Sequence, residues 1–471
     1  MHAVGGRAEG SLGGRAFPGL NRGGGAEALE EREPGSTGFG GASRDAEVGQ
    51  GGSEAGRIPA ASASRGMVRV ALIGHQFQVP TEGQAKAQAL ASAGGLEVHV
   101  VVPDRYREAE VRWRTPDLPK DGGAGVHYHL AHVRLPWSGP AKWYLQSYAG
   151  LRRILEAIRP DILDVWEEPW SLLSAQVCRL RNLWFPSARL ISETEQNIRK
   201  RLPFPFEHFR SYTFGQADFL IGRNAEAVSN ARALGFGGPA RIVGNGFDPR
   251  IFHPSDQEAA RRKWGVRGFA VGYAGRCVAS KGLRSLLAAR DILARLCPAT
   301  GRGDPPGIWV AGEGPLESEL RTTPGVHLPG ALSRTDLAQF FCAMDVVVLP
   351  SLSTRGWKEQ FGRVIVEAQG CGIPVVGSSS GAIPEVLGEP ELVYPENDSQ
   401  ALARVLMRLW EDRLWGALMA QEGRKRALRN YSWDAVAAQM REVYLELAPR
   451  RLPGGRADGQ GPRVDPGGAN Q

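Results

Sequence analysis

The sequence has no uninterrupted apolar run near the roughly 20 residues that a bilayer-spanning helix needs, which excludes an integral helical membrane protein. It has only five cysteines, Cys178, Cys277, Cys297, Cys342 and Cys371, and none is spaced Cys-x-x-Cys. That excludes a disulfide scaffold and a cysteine zinc site, and it predicts free thiols in a reducing compartment. No run of five or more Lys/Arg occurs, and paired Cys/His fingers are missing. The net charge of +7 and pI of about 9.3 therefore read as a mildly basic surface rather than a nucleic-acid site. No Gly-x-Gly-x-x-Gly follows an expected strand, which argues against an NAD-dependent dehydrogenase. Large apolar residues are almost missing from residues 1–66, so this Gly/Ala/Ser/Arg-rich extension is expected to be disordered. It lacks the apolar core of a secretory signal, and Met67, directly before VRVALIG, is the expected native start. The Gly/Pro/Arg-rich tail, 451–471, is likewise expected to be disordered.

What remains is rich in alternation. Strand-like runs fall at 68–74, 96–102, 162–166, 189–192, 219–222, 270–275, 308–312, 345–349 and 373–377. Helix-like stretches separate them, at 83–93, 145–158, 170–183, 225–234, 282–296, 315–321, 334–343, 362–370 and 398–411. Strand–helix–strand repetition implies parallel sheets with crossover helices, and so many units exceed one sheet. Two doubly wound, Rossmann-like α/β domains follow, at 67–255 and 256–430, joined near 245–258. In such sheets ligands bind beyond the carboxyl ends of the strands. Two domains facing each other would enclose a cleft there.

Three loops carry candidate chemistry. In YAGRCVASKGL (273–283), Gly275 ends a strand and Arg276 and Lys281 precede a helix, a setting suited to phosphate. A solvated basic loop is the plain alternative. In KEQFGRVIVEAQGCGIPVVGSSSGAIPEV (358–386), Glu359 and Glu367 stand eight residues apart. If fully helical, that spacing spans roughly 12 Å, about a ribose-to-sugar distance across a diphosphate. Ionised carboxylates accept hydrogen bonds from hydroxyl pairs. The alternatives are an acid favoured by the dipole in the early turns of a helix for Glu367 and a surface acid for Glu359. The small residues Ser378–Ala382 allow close backbone approach to a ligand, or simply a tight turn. One decoy is VHYHLAHVRL: His127 and His129 share a strand face, but no evident Asp, Glu or Cys completes a metal set, and an exposed strand edge is favoured.

These motifs, in this order, resemble the retaining glycosyltransferases of family four. The matching elements are Gly-Arg-x4-Lys-Gly at 275–282, GEGPLESEL, LPGALSRTDLAQFFCAMDVVVLPS, EQFGRVIVEAQGCGIPVV and SGAIPEV. VGNGFDPRIFHP resembles that family's Asn-Gly-x-Asp-x4-Phe element, and the acidic pair its Glu-x7-Glu signature. YSWDAVAAQMREVY resembles its terminal helix, expected at 431–450 and crossing back to the N-terminal domain. The likeness covers most of 67–448. It implies a GT-B fold with the nucleotide-sugar donor in the C-terminal domain and the acceptor in the N-terminal one. Carried onto this sequence, Arg276 and Lys281 would neutralise the diphosphate and Glu359 would bind donor-sugar hydroxyls, the three catalytic assignments. Glu367 would accept the ribose hydroxyls, with Gly275, Phe361, Gly362, Arg363 and Val364 completing the donor site. On the acceptor side Gly74 and His75 are candidates, although the usual Gly-Gly pair is absent from GHQFQVPTEGQ. Where related enzymes often carry a histidine, this chain has SETEQN, and Glu195 is the candidate; a surface acid paired with Arg199 is its alternative.

The expected activity is transfer of a sugar, with retention, from a nucleotide-diphosphate sugar to a glycan, lipid-linked or small-molecule acceptor. No Asp-x-Asp is present to hold a metal on the diphosphate, so no metal or other cofactor is expected. The alternatives are a nucleotide-sugar epimerase or sugar phosphorylase of the same architecture, or a non-catalytic nucleotide-sugar or glycan-binding protein. No nucleic-acid partner is expected, and the location is expected to be cytoplasmic. The basic, aromatic-rich stretches 143–153 and 197–210 are candidates for peripheral contact with the inner face of an anionic membrane. Donor base and sugar, acceptor and oligomeric state are left open by the sequence.

Overall fold

The computed structural model describes residues 66–107, 113–119, 125–134, 143–300 and 306–449. The extension and tail expected to be disordered lie outside them, Gly66 excepted. In the N-terminal lobe the strands are β1 (Val68–Ile73), β2 (Leu96–Pro103), β3 (Tyr106–Arg107), β4 (Trp113–Arg114), β5 (Val126–Arg134), β6 (Ser147–Ala149), β7 (Ile162–Val165), β8 (Arg189–Thr194), β9 (Phe219–Gly222) and β10 (Ala240–Ile242). Apart from the small β3–β4 hairpin they form one sheet, ordered β10-β9-β8-β7-β1-β2-β5-β6. All its pairings are parallel except β5 with β6. Helices α1 (Ala85–Ser92), α2 (Leu151–Ile158), α3 (Leu172–Trp184), α4 (Phe206–Gln216) and α5 (Ala225–Ala233) make the crossovers.

The C-terminal lobe repeats the plan. Its strands are β11 (Ala270–Ala274), β12 (Gly307–Ala311), β13 (Val326–Gly330), β14 (Val346–Leu349), β15 (Val375–Ser378) and β16 (Val393–Tyr394), ordered β13-β12-β11-β14-β15-β16 and all parallel. Its helices are α6 (Gln257–Trp264), α7 (Leu283–Thr300), α8 (Glu317–Arg321), α9 (Arg334–Ala343), α10 (Arg363–Gly370), α11 (Ile383–Leu387), α12 (Ser399–Glu411) and α13 (Arg413–Tyr431). The near-continuous Val/Ile/Leu runs form central strands because both faces are covered by helices; β7, β9, β14 and β15 are buried at every residue.

A last helix, α14 (Trp433–Leu447), leaves the C-terminal lobe and packs on α1 of the N-terminal one. Trp433, Val436, Ala437, Met440, Val443 and Tyr444 join the buried cluster beneath α1. Ser432 caps it, its hydroxyl accepting from Ala435 N at 3.1 Å. Where the chain passes between lobes, residues 247 and 432 form a parallel bridge. There Phe247 N donates to Tyr431 O at 2.8 Å and Trp433 N to Phe247 O at 3.1 Å.

One expected helix is corrected. Residues 146–150 are not helical: Ser147–Ala149 pair antiparallel with β5, and the α-helix starts only at Leu151, after Gly150 at φ 73°. The histidine decoy also has more neighbours than the sequence suggested. The parallel β2–β5 register sets His99 opposite His127, and the two rings stack at 4.9 Å. His99 Nδ1 lies 3.1 Å from His129 Nε2, and Glu97 reaches His99 Nε2 at 3.0 Å. Burial lowers the pKa of both His99 and His129. Among the described residues no group of three His, Cys, Asp or Glu is arranged to hold a metal ion.

Candidate active site

Each sheet reverses its winding once, between β1 and β7 in the N-terminal lobe and between β11 and β14 in the C-terminal lobe. The loops leaving those strands diverge there and open a crevice. At the second reversal, the loop after β11 carries Gly275, Arg276 and Lys281, and the loop after β14 carries Glu359. Lys281 Nζ meets Glu359 Oε2 at 2.6 Å and stands 4.5 Å from the Trp357 ring centre. Arg276 is exposed, and its guanidinium has no hydrogen-bond or ion-pair partner among the described residues. Ser351 Oγ donates to Glu359 Oε2 at 2.8 Å. The two loops are fastened together: Leu352 N donates to Ser280 O at 2.8 Å, and a Cβ on Gly282 would sit 1.8 Å from the Pro350 carbonyl oxygen. Only glycine permits that approach, and Gly282 also has φ +70°.

The small residues 378–382 have a similar use. What they approach closely is protein backbone: a Cβ on Gly381 would lie 2.2 Å from the Glu359 carbonyl oxygen, and Ala382 N donates to that oxygen at 3.0 Å. Ser378 Oγ donates to Ser351 O at 2.5 Å. The turn thus presets the loop that presents Glu359.

Glu367 lies on α10, whose first residue is Arg363, so Glu359 and Glu367 are not two points on one helix. The roughly 12 Å that a fully helical stretch would span does not apply: residues 359–362 are an irregular loop because Gly362, at φ 79°, caps α10. Nor does Glu367 answer unpaired backbone N–H groups. It is the fifth helical residue, 4% exposed, and its Oε1 takes an ion pair from Arg334 of α9 at 3.1 Å. Burial holds its carboxyl above the ordinary range, against the pull of Arg334 and Arg363. Phe361 is buried with its ring edge-on to Tyr431 at 5.3 Å, and Val364 packs on the core of the lobe. Arg363 pairs across the cleft with Glu82.

At the first reversal the loop after β1 holds Gly74 and His75, and the loop after β7 holds Trp166, Glu167 and Glu168. A Cβ on Gly74 would lie 2.5 Å from the Trp166 carbonyl oxygen. His75 N donates to Glu167 Oε1 at 2.8 Å, and its ring Nδ1 meets the same oxygen. His75, Trp166, Glu167 and Glu168 line a cavity of about 190 Å³ with Gln76, Tyr144, Trp170, Glu193, Thr194, Glu195, Gln196 and Gln360. Glu195 lies 3.4 Å from both Arg223 Nε and Trp166 Nε1, so the alternative pairing with Arg199 is not the one that forms. Arg199 instead donates to Ala233 O at 3.4 Å. Glu168 is pushed up to about 8, chiefly by burial. Reading along the chain missed Glu167 and Glu168. Their signal was WEEPW directly after a buried strand, where ligands of such sheets gather.

Beneath the cavity lies a buried charge network. Glu193 is gripped by Lys86 and Arg223. Lys86 Nζ also stands 3.7 Å from Asp164, which accepts from Tyr444 OH of α14 at 2.5 Å. Burial and the neighbouring Glu193 push Asp164 up, whereas Arg223 and Lys86 hold Glu193 down against its burial.

The lobes touch around this site. Asn197 Nδ2 donates to Glu359 O at 2.8 Å, Asn224 Nδ2 to Gln360 O at 2.6 Å, and Gln360 Nε2 to Glu195 O at 3.1 Å. Lys358 pairs with Glu226 at 2.9 Å.

A family model described as glycosyl transferases group 1 matches residues 268–412, the stretch of the C-terminal lobe that carries Arg276, Lys281, Glu359 and Glu367. The D-inositol 3-phosphate glycosyltransferase of Salinispora arenicola is 32% identical over 358 residues, covering 69% of this chain and 70% of that protein. Its namesake from Stackebrandtia nassauensis is 26% identical over 444 residues, covering 85% of this chain and 96% of that protein. Among solved structures, a sucrose-phosphate synthase from Thermosynechococcus elongatus superposes with a TM-score of 0.61 at 19% identity, covering 81% of this chain and 99% of its own. Anabaena Alr3699/HepE in complex with UDP gives 0.60 at 19% identity, covering 81% and 100%. Two facing lobes with a crevice at each sheet reversal, together with these relatives, place the chain among the group 1 glycosyl transferases of family-four type: it is a glycosyltransferase of GT-B architecture.

Proposed function

We propose that the chain moves a sugar from a nucleoside-diphosphate sugar in the C-terminal crevice to a hydroxyl-rich acceptor in the N-terminal cavity, with retention and without a resident metal. The observation that carries this reading is the meeting of Lys281 and Glu359 at 2.6 Å beside the unpartnered Arg276, at the reversal of the C-terminal sheet. The departing diphosphate gains negative charge, and Arg276 and Lys281 are the cations in reach to stabilise it electrostatically. Glu359, already paired with Lys281 and Ser351, offers its carboxylate to the donor sugar's hydroxyls. Glu367, held by Arg334, takes the ribose hydroxyls. Gly275, Gly362 and Arg363 contribute backbone, since the side chains of Phe361 and Val364 face the protein interior. On the acceptor side His75 with Glu167 orients the attacking hydroxyl, and Glu195 and Gln196 accept or donate to others. None of the residues lining that cavity is Lys or Arg, and Trp166, Trp170 and Tyr144 offer ring faces. This suits a polyol better than a phosphate ester.

The test is nucleotide-sugar turnover in excess chelator, wild type against Arg276→Ala. Because Arg276 is exposed and its guanidinium has no partner among the described residues, the variant should melt like wild type. Loss of one preorganised charge contact should lower kcat by roughly 10²–10³-fold. Equal rates in the two proteins, or activity that vanishes with chelator, would remove the metal-free diphosphate role.

A lipid-linked acceptor has one specific observation in its favour. Phe204 is 86% exposed beside the exposed Arg201 and Pro203. An exposed apolar ring near a cation suits an anionic bilayer surface at the inner face of a cytoplasmic membrane. Co-sedimentation with anionic vesicles, lost in Phe204→Ser, is the expected outcome; failure of wild type to sediment at low salt would remove it.

A further inference from the structure

Two of the cysteines are neighbours far from the cleft. Cys342 is near the end of α9, and Cys371 is the residue that ends α10. They are 3% and 2% exposed, yet both line one cavity of about 310 Å³, whose lining includes the exposed Pro254, Ser255 and Arg413. That cavity includes Met344, Asp345, Ile373 and Pro374, which precede β14 and β15, so it lies at the opposite end of the sheet from Arg276 and Glu359. The thiols are brought together by the packing of the two helices. Cys371 Sγ donates to the Ala338 carbonyl at 3.7 Å, one turn before Cys342 on α9. Cys342 Sγ donates to the His253 carbonyl at 3.5 Å, on the segment linking the lobes.

We propose that Cys342 and Cys371 are an oxidation-sensitive dithiol that closes to a disulfide when hydrogen peroxide enters the cavity. Cys342 is the attacking sulfur. Its thiol is drawn down to about 6, first by the adjoining Cys371 thiol and then, against burial, by Ser255, whereas Cys371 is pushed far up and stays protonated. A thiolate is the reactive form, and a protonated neighbour is suited to resolve the product. The Cys342 thiolate attacks one peroxide oxygen, the O–O bond breaks, and hydroxide leaves to take up the proton that the thiol had lost. Cys342 is then a sulfenic acid. Cys371 sulfur attacks Cys342 sulfur, the S–O bond breaks, and the oxygen departs as water with the Cys371 proton. Two thiols and one peroxide give one disulfide and two waters.

The bond would join α9 to α10, the two helices whose Arg334 and Glu367 meet at the donor crevice. The proposal is independent of what the crevice binds.

The full chain is treated with a small excess of hydrogen peroxide, and its thiols are counted before and after. The wild type should lose two of its five thiols and recover them in dithiothreitol. Peptide mass analysis should find Cys342 and Cys371 in one cross-linked species two mass units lighter than the reduced pair. Cys342→Ser and Cys371→Ser should each abolish the cross-link. In wild type, needing no variant, alkylation of Cys342 by iodoacetamide should reach half its limiting rate near pH 6 rather than near the ordinary thiol range. Unchanged thiol counts, a cross-link between other cysteines, or over-oxidation of Cys342 with Cys371 left reduced would each overturn the proposal.

Discussion

Glu168 is half-buried and has two partners: Thr194 Oγ1 at 2.7 Å and Glu195 N at 3.0 Å. Burial outweighs both, and the carboxyl is pushed up to about 8. A raised acid binds its proton more tightly folded than unfolded. Its stabilising contribution is therefore full below the ordinary carboxylate range and is lost as pH rises toward about 8. The limiting slope is about 1.4 kcal/mol per pH unit. Glu168→Gln should remove that slope, so urea midpoints from pH 5 to 9 should fall for wild type and fall less for the variant; parallel profiles would refute it. At this scale the residues proposed for the donor could be singled out: Arg276, Lys281 and Glu359 are charges in loops after buried strands, and the family-four resemblance adds Glu367 and the proposed roles. Glu167, Arg334 and Asn197 could not, because each acquires its meaning from a partner on another element: His75, Glu367 and the Glu359 carbonyl.

Among elements, α14 serves the lobe that it does not follow in the chain. It grows out of α13 but buries its apolar stripe against α1 and the first sheet. Tyr444 adds a specific tie, its hydroxyl donating to Asp164, whose other oxygen accepts no hydrogen bond among the described residues. Tyr444→Phe should cost roughly 1–3 kcal/mol, the price of leaving a buried acceptor short of its donor. Denaturant unfolding measures this; no change would mean that apolar burial alone holds α14. Element type was readable wherever both faces of a strand or one stripe of a helix are covered, as in β7, β14 and α9. It failed at 146–150, where the residues suit a helix but β5 offers an antiparallel edge and Gly150 turns the chain. Periodicity does not encode that competition.

For the whole molecule, the cleft is bridged by asparagine amides resting on carbonyl oxygens, Asn197 on Glu359 and Asn224 on Gln360. Each bond contributes about 0.5–1.5 kcal/mol net. Removing both, in Asn197→Ala/Asn224→Ala, should shift the balance toward a more open cleft. Small-angle scattering should report a larger radius of gyration than wild type, and the acceptor KM should rise more than the nucleotide Kd. Identical scattering curves would show that other contacts set the opening.

The return of α14 has a consequence for synthesis. The C-terminal sheet and its helices are contiguous in the chain and can close as they emerge from the ribosome. The N-terminal sheet, though made first, lacks Trp433, Met440, Val443 and Tyr444 until nearly the last described residues have been added. During translation its α1 flank stays bare and Asp164 lacks its hydroxyl donor. The half of the enzyme that is born first is thus finished last, and nascent-chain proteolysis should find it the more vulnerable half until release.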